Sequence, residues 1–197
     1  MSKNCEKCCF GLEVRHKNAI LDIQTNKPCV VLIHGFGGSS KWQFFFQVRD
    51  LSRSFNLYIP DLLFFGESHT NKTDMSDLFQ AICVGEGMKR LVVEKYSVVG
   101  IRYGGYVAYR MAEIHQEVTK VVIVSCGICS SDDQKLEQLK KIGRDAVNLL
   151  VPETPQDLKT LMKLSIDKYD PSWLPDCMVS ISVLTIAWFL YSVPTLH

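Results

Sequence analysis

The chain has almost no surplus of charge: 22 Lys and Arg stand against 21 Asp and Glu, a formal net charge of +1. With no basic excess, and no basic stripe interleaved with aromatics, nothing would draw the protein to a phosphate backbone, and nucleic acid is excluded as a partner. Also missing is an N-terminal charged segment followed by an apolar one, so the eight cysteines are expected to be mostly free thiols in a reducing, cytoplasmic setting. Cys5, Cys8 and Cys9 form a C-x-x-C-C cluster. No second Cys/His pair stands at zinc-finger spacing, so neither a metal nor a cofactor is expected, and a disordered or lipid-modified N-terminus is the simpler reading. After Asp176 charged side chains disappear altogether.

What the chain does contain is an alternation. With 197 residues it is expected to form one domain carrying an insertion. From Pro28 onward, short β-branched runs alternate with longer amphipathic stretches, the pattern of a mostly parallel sheet flanked by helices. The runs predict strands at Cys29 to Ile33, Asn56 to Ile59, Tyr96 to Val99 and Lys120 to Ser125. Between them the spacing predicts helices at Trp42 to Ser52, Asp74 to Val93 and Gly104 to Ile114. Gly11 to Gln24 is read as an earlier hairpin. After the fourth strand come three consecutive helices, Asp132 to Ile142, Asp145 to Leu150 and Pro155 to Lys168, the last opened by an N-cap threonine and a first-turn proline at Thr154-Pro155. The expected divisions are therefore an N-terminal segment at 1–27, an α/β core at 28–130, a partial helical cap at 131–176 and an apolar tail at 177–197.

Three motifs fall at strand ends. Val30 to Gly38, V-V-L-I-H-G-F-G-G, runs into a glycine-rich His-Gly turn. Pro60 to Ser68, P-D-L-L-F-F-G-E-S, follows the next strand. Gly100-Ile101-Arg102-Tyr103-Gly104 lies between the third strand and a helix, which is where a G-x-S-x-G nucleophile elbow would stand, but with arginine at the serine position. Taken together, in this order and spacing, the three motifs resemble the α/β-hydrolase superfamily, especially its plant esterase and monoacylglycerol-lipase-like members. The resemblance covers about Pro28 to Cys177, and implies that the four strands are the third to sixth of the family sheet and that the three helices begin its lid.

The resemblance assigns roles residue by residue. It implies that the backbone N–H groups of Phe36 and Tyr103 form the oxyanion hole, and that the elbow consists of Gly100, Arg102 and Gly104. His34, Gly35, Phe36, Phe64 and Phe65 are expected to line the substrate region, His34 as a histidine tying loops together and Asp61 as a loop brace. A guanidinium cannot attack a carbonyl, so no catalytic residue is assigned and a covalent acyl-enzyme route is closed. The family's acid and histidine come later, after strands this sequence does not contain. Local substitutes are not convincing: Asp132 and Asp133 fit a helix start, His115 a helix C-terminus, His197 is the last residue, and Ser39, Ser40 and Ser68 have no paired base.

The segment Cys177 to Leu196 departs from the family. It is read foremost as the point where the chain is cut short, with Val179-Ser180 compatible with translated intron. A membrane tail anchor, with Trp188 and Tyr191 as interfacial groups, is less favoured, and an amphipathic lid segment is the third reading. If the sheet ends at its fourth run, that strand becomes an edge through which copies self-associate. Three functions compete: an inactive relative of carboxylic ester hydrolases; a binding or signalling module in which Arg102 pairs with an acidic small molecule; and an incomplete record of an active esterase acting on a small ester such as a monoacylglycerol.

Overall fold

The computed structural model describes residues 14–15, 27–36, 38–66, 68–131, 133–134, 136–137, 140, 153–165, 170–177 and 179–180. Its contacts divide the chain into two compact units, Met1–Cys129 and Ser130–His197.

The first unit is built on a five-stranded sheet of β1 (Val14–Arg15), β2 (Cys29–Ile33), β3 (Asn56–Pro60), β4 (Tyr96–Ile101) and β5 (Val118–Val124), in the order β1-β3-β2-β4-β5. Four strands run parallel: Val30 pairs with Leu57 on one side and Ser97 on the other, and Val98 pairs with Val121. β1 joins antiparallel, Val14 opposite Pro60, so this part of the expected hairpin pairs with β3; the rest of that segment lies outside the described residues. β2 and β3 are central and read as continuous apolar runs because both faces are covered. On one face Val30, Leu32, Leu57 and Ile59 gather Phe44, with Val48, Leu51, Val99 and Ile101 against them. Alternate strand residues point the other way, where Gly100 of β4 lies against Ala108. β5 ends the order, and its Val122 and Val124 are 52% and 41% exposed.

The helices of this unit are α1 (Ser40–Gln43), α2 (Phe45–Leu51), α3 (Asp77–Arg90) and α4 (Tyr103–Ile114). The single helix expected from Trp42 to Ser52 is thus broken at Phe44, whose φ of −108° and ψ of 12° leave the helical region. The break buries the Phe44 ring to 2% exposure, while Phe45 and Phe46 remain at 59% and 80%. Three adjacent aromatics cannot all face one core from a regular helix, and burial of the first decides the backbone. α3 starts three residues later than expected because Ser76 is its cap, the hydroxyl accepting the Phe79 N–H at 3.1 Å.

α3 closes in a Schellman arrangement: Val93 N–H donates to Met88 O and Val92 N–H to Lys89 O. The left-handed residue is Val92, φ 58°, a β-branched side chain where glycine is preferred.

In the second unit α5 (Pro155–Ser165) begins as expected. Thr154 Oγ1 accepts the Asp157 N–H at 3.2 Å, and Asp157 Oδ2 accepts from the Thr154 N–H and hydroxyl, a reciprocal cap. Leu158, Leu161, Met162, Leu174 and Val179 form its apolar cluster. Asp133, Gln134, Leu136, Glu137 and Lys140 are helical; the helix expected at Asp145 to Leu150, residues 166–168, the Cys5 cluster and the tail from residue 181 lie outside the described residues. Among the described residues no helix is long and apolar enough to cross a membrane.

The strain at Val92 yields a prediction. Val92 is 80% exposed, so Val92→Gly loses little packing and should raise stability by about 1 kcal/mol, the left-handed penalty less glycine's entropic cost. Urea midpoints of the two proteins check it.

Candidate functional site

Steric fit fixes the elbow. β4 ends at Ile101, Arg102 turns the chain with φ 55° and ψ −115°, and α4 starts at Tyr103. A Cβ on Gly100 would run into the carbonyl of Gly104, and one on Gly104 would meet the carbonyls of Ile33 and His34, the latter at 2.6 Å. No side chain larger than hydrogen fits at either position. The strained turn is held from both sides: Arg102 N–H donates to Val124 O at 2.9 Å, and Gly105 N–H donates to Arg102 O at 2.9 Å. Such a backbone costs about 1–3 kcal/mol and persists only where its surroundings over-determine it. The half-buried Arg102 side chain sets off along the His-Gly turn, its Cβ and Cδ 3.3 and 3.6 Å from where a Gly35 Cβ would be.

The His-Gly turn meets the elbow through aromatic rings. Phe36 packs edge-on against Tyr103, centroids 6.4 Å apart, and against Phe65 at 5.6 Å; Phe65 also meets His34 at 5.3 Å. Phe36, expected with Tyr103 to supply the oxyanion donors, therefore stands beside it. Phe36 is 43% exposed and Phe65 is buried. Phe64 does not join them: it packs with Leu63, Phe79 and Cys83. Tyr103 donates its hydroxyl to Met75 O at 3.0 Å. Burial, then the Asp77 and Asp74 charges, push the phenol up to about 12, so it stays protonated at neutral pH.

His34 is fully buried and fully engaged. Its Nε2 accepts the Leu62 N–H at 3.0 Å, so the proton is assigned to Nδ1, which donates to Gly35 O at 2.8 Å. Burial lowers its pKa. Both ring nitrogens are spent on backbone partners, leaving none to take a proton from a nucleophile. Asp61 braces the same loops: Oδ1 accepts the Ser40 N–H at 2.7 Å, and its main-chain oxygen accepts the Ser68 hydroxyl at 2.7 Å. Ser40 and Ser68 are thus tied to Asp61, and the Ser39 main-chain oxygen accepts the Gln43 N–H at 3.1 Å. Asp133 lies in a helical segment; Asp132 and His197 lie outside the described residues. His115 follows the end of α4, some 18 Å of helix from Arg102, and its Nε2 bonds Ala81 O at 3.1 Å. No group of three metal-binding side chains occurs among the described residues.

Two glutamines complete the framework, and sequence reasoning missed both. Gln80 of α3 accepts the Leu63 N–H on Oε1 at 2.9 Å and donates Nε2 to Leu63 O at 3.0 Å, binding both polar groups of one buried peptide unit. Gln43 of α1 accepts the Gly35 N–H at 2.8 Å. The only sequence signal was Gln80's place among apolar neighbours in a helix.

Comparison with known proteins adds the following. The family model described as alpha/beta hydrolase fold matches residues 28–166. An uncharacterised protein of Mycobacterium tuberculosis is 31% identical over 127 residues, covering 62% of this chain and 37% of the relative. A 1-acylglycerol-3-phosphate O-acyltransferase of Arabidopsis thaliana is 28% identical over 138 residues, 66% of this chain and 32% of that protein. The chain thus spans about a third of the length of these curated relatives. Among solved structures, a membrane phospholipase A described as a bacterial virulence factor superposes with a TM-score of 0.68 at 22% identity, over 92% of this chain and 61% of that one. A meta-cleavage product hydrolase from Pseudomonas fluorescens gives 0.65 at 20% identity, over 86% and 61%. At these identities the structures establish the fold.

Two predictions follow from the buried polar groups. Gln80→Leu should cost about 2–4 kcal/mol, because two buried main-chain groups lose their partners; denaturant unfolding measures it. His34 and His115 both have pKa values lowered, chiefly by burial, from the ordinary 6.5. Below 6.5 the unfolded chain binds protons that the folded chain refuses, so stability is full above that pH and is lost as pH falls toward the folded-state values. His115→Gln should lose less stability than the parent between pH 7.5 and 5.5, measured by urea midpoints at both.

Proposed function

The chain belongs to the alpha/beta hydrolase fold family, and we propose that within it this protein is a non-hydrolytic relative of the carboxylic ester hydrolases. One observation carries the reading: the strained position between β4 and α4 holds Arg102. Nucleophilic hydrolysis needs an oxygen or sulfur there with a lone pair that a neighbouring base can free. A guanidinium is cationic at every working pH and offers only N–H donors. His34 supplies no base either, since both its nitrogens serve the backbone. The ligand class is an acyl ester or the corresponding acid, a reading supported by the ring cluster of Phe36, Phe65 and Tyr103 and by the acyl chemistry in the name of the Arabidopsis relative.

A second reading draws on the path of the Arg102 side chain past Gly35. In a binding module this cation would pair with the carboxylate or phosphate of an acidic small molecule while the aromatic rings take its apolar part. The framework then serves as a receptor surface for a ligand that is held and released unchanged.

Hydrolysis of p-nitrophenyl acetate and butyrate separates these ideas from an active enzyme. Loss of the nucleophile costs a triad hydrolase about a million-fold in kcat, so the parent should not exceed the buffer rate. Arg102→Ser should also remain at background, because neither His34 nor His115 has a ring nitrogen placed to take the serine proton. Strong turnover by Arg102→Ser would show that a base is within reach and would overturn that part of the argument. Saturable binding of a fatty acid that Arg102→Ala abolishes would favour the second reading.

A further inference from the structure

Beyond the elbow, β5 runs into Cys126-Gly127-Ile128-Cys129, a C-x-x-C sequence unconnected with hydrolase chemistry. Ser125 breaks the strand with a φ of 52°, and a single 3-10 turn over Gly127–Cys129 follows. Cys126 immediately precedes that turn and Cys129 ends it, so the two stand three residues apart across it. In 3-10 geometry residues three apart are separated by about 6 Å of rise and their side chains lie one above the other. A disulfide needs Cα atoms about 4.4–6.8 Å apart, the span that a 3-10 turn between two such residues supplies. Both are free thiols.

Their surroundings differ in a way that suits two successive steps. Cys129 is exposed, whereas Cys126 is half-buried, its Cβ and Sγ 2.7 and 2.9 Å from where a Cβ on Gly105 would stand. One thiol is open to a soluble reagent, and the other is held against the first turn of α4. Gly127 is similarly close to the Tyr106 hydroxyl, 3.2 Å from a Cβ built on the glycine.

We propose that Cys126 and Cys129 form a redox-active dithiol that is oxidised to an intramolecular disulfide by a small disulfide of the glutathione type. The Cys129 thiolate attacks one sulfur of oxidised glutathione, forming a mixed disulfide and releasing one glutathione thiolate. The Cys126 thiolate then attacks the Cys129 sulfur and expels the second glutathione thiolate. The two protons lost by the cysteines balance the two thiolates, so two protein thiols are oxidised to one disulfide while one glutathione disulfide is reduced to two thiols. Through the contact of Cys126 with Gly105, the bond forms directly behind the turn that carries Arg102. The site is independent of whether the elbow hydrolyses or binds.

The test uses the full chain, first reduced and then equilibrated in glutathione buffers of rising oxidised fraction, with free thiols trapped by alkylation and read by mass spectrometry. Tryptic cleavage after Lys120 and Lys135 leaves both cysteines on one peptide. That peptide should lose the mass of two hydrogens and escape alkylation as the buffer becomes oxidising. Cys129→Ser should abolish the change, and Cys126→Ala should stop at a single glutathione adduct on Cys129. The exposed Cys129→Ser change provides the decisive comparison should Cys126→Ala fail to fold. Two thiols that remain fully alkylated in the most oxidising buffer would overturn the proposal. So would a disulfide linking this peptide to another cysteine such as Cys83 or Cys177.

Discussion

The first unit depends on how closely α4 can approach the strands beneath it. Gly100 on β4 and Gly104 in the first turn of α4 face each other with no room for a Cβ on either, and Gly104 also rests on the carbonyls of Ile33 and His34 at the end of β2. This contact sets three things together: the angle at which the chain leaves β4, the position of Arg102 at the corner, and the distance from the elbow to the His-Gly turn. A methyl group at either glycine would lift the helix from the sheet, and main-chain carbonyls cannot move aside as a flexible side chain can. The ring contacts among Phe36, Phe65 and Tyr103 follow from that approach.

Around this contact, loops that would otherwise cost entropy to order are held by polar side chains bonded to main chain. Leu62 N–H goes to His34, both polar groups of Leu63 to Gln80, Gly35 N–H to Gln43, and Ser40 N–H to Asp61. Each bond is modest, of order 1 kcal/mol net, but the penalty for leaving a buried peptide group without a partner is larger. The framework therefore works mainly as a constraint: few loop paths satisfy all these groups at once. Burial holds its one imidazole, His34, below the ordinary histidine range, and this ties the fit of the loops to pH.

The four parallel strands were legible because each is a short run of mostly apolar residues set between turns, and their boundaries moved by at most two residues. The three motifs were legible because glycine, histidine and aspartate recur at strand ends for reasons of packing and bonding. Phe44 was not, because an amphipathic count over Trp42 to Ser52 cannot tell which of three adjacent phenylalanines the core will take. Gln80 and Gln43 were hidden for a related reason: a glutamine that binds a distant peptide group looks in sequence like a solubilising residue. The start of α3 was visible in Ser76 itself, but Asp74, which accepts the Ser76 N–H at 2.9 Å, competed for the cap. Phe64 was grouped with Phe65 by adjacency alone, and its φ of 71° sends it to a different cluster.

The forces that hold the elbow around Arg102 are the same set that would build it around a serine. The sheet bond from Arg102 N–H to Val124 O, the helix bond from Gly105 N–H to Arg102 O, and the glycines on either side all act through the main chain. None depends on the side chain at position 102. A strained corner is often taken as a sign of catalysis, because strain usually persists where function maintains it. Here packing between β4 and α4 imposes the strain, whichever side chain the corner carries. Packing thus fixes the main chain of this corner, and the side chain at Arg102 is left to fix only which polar groups the corner presents.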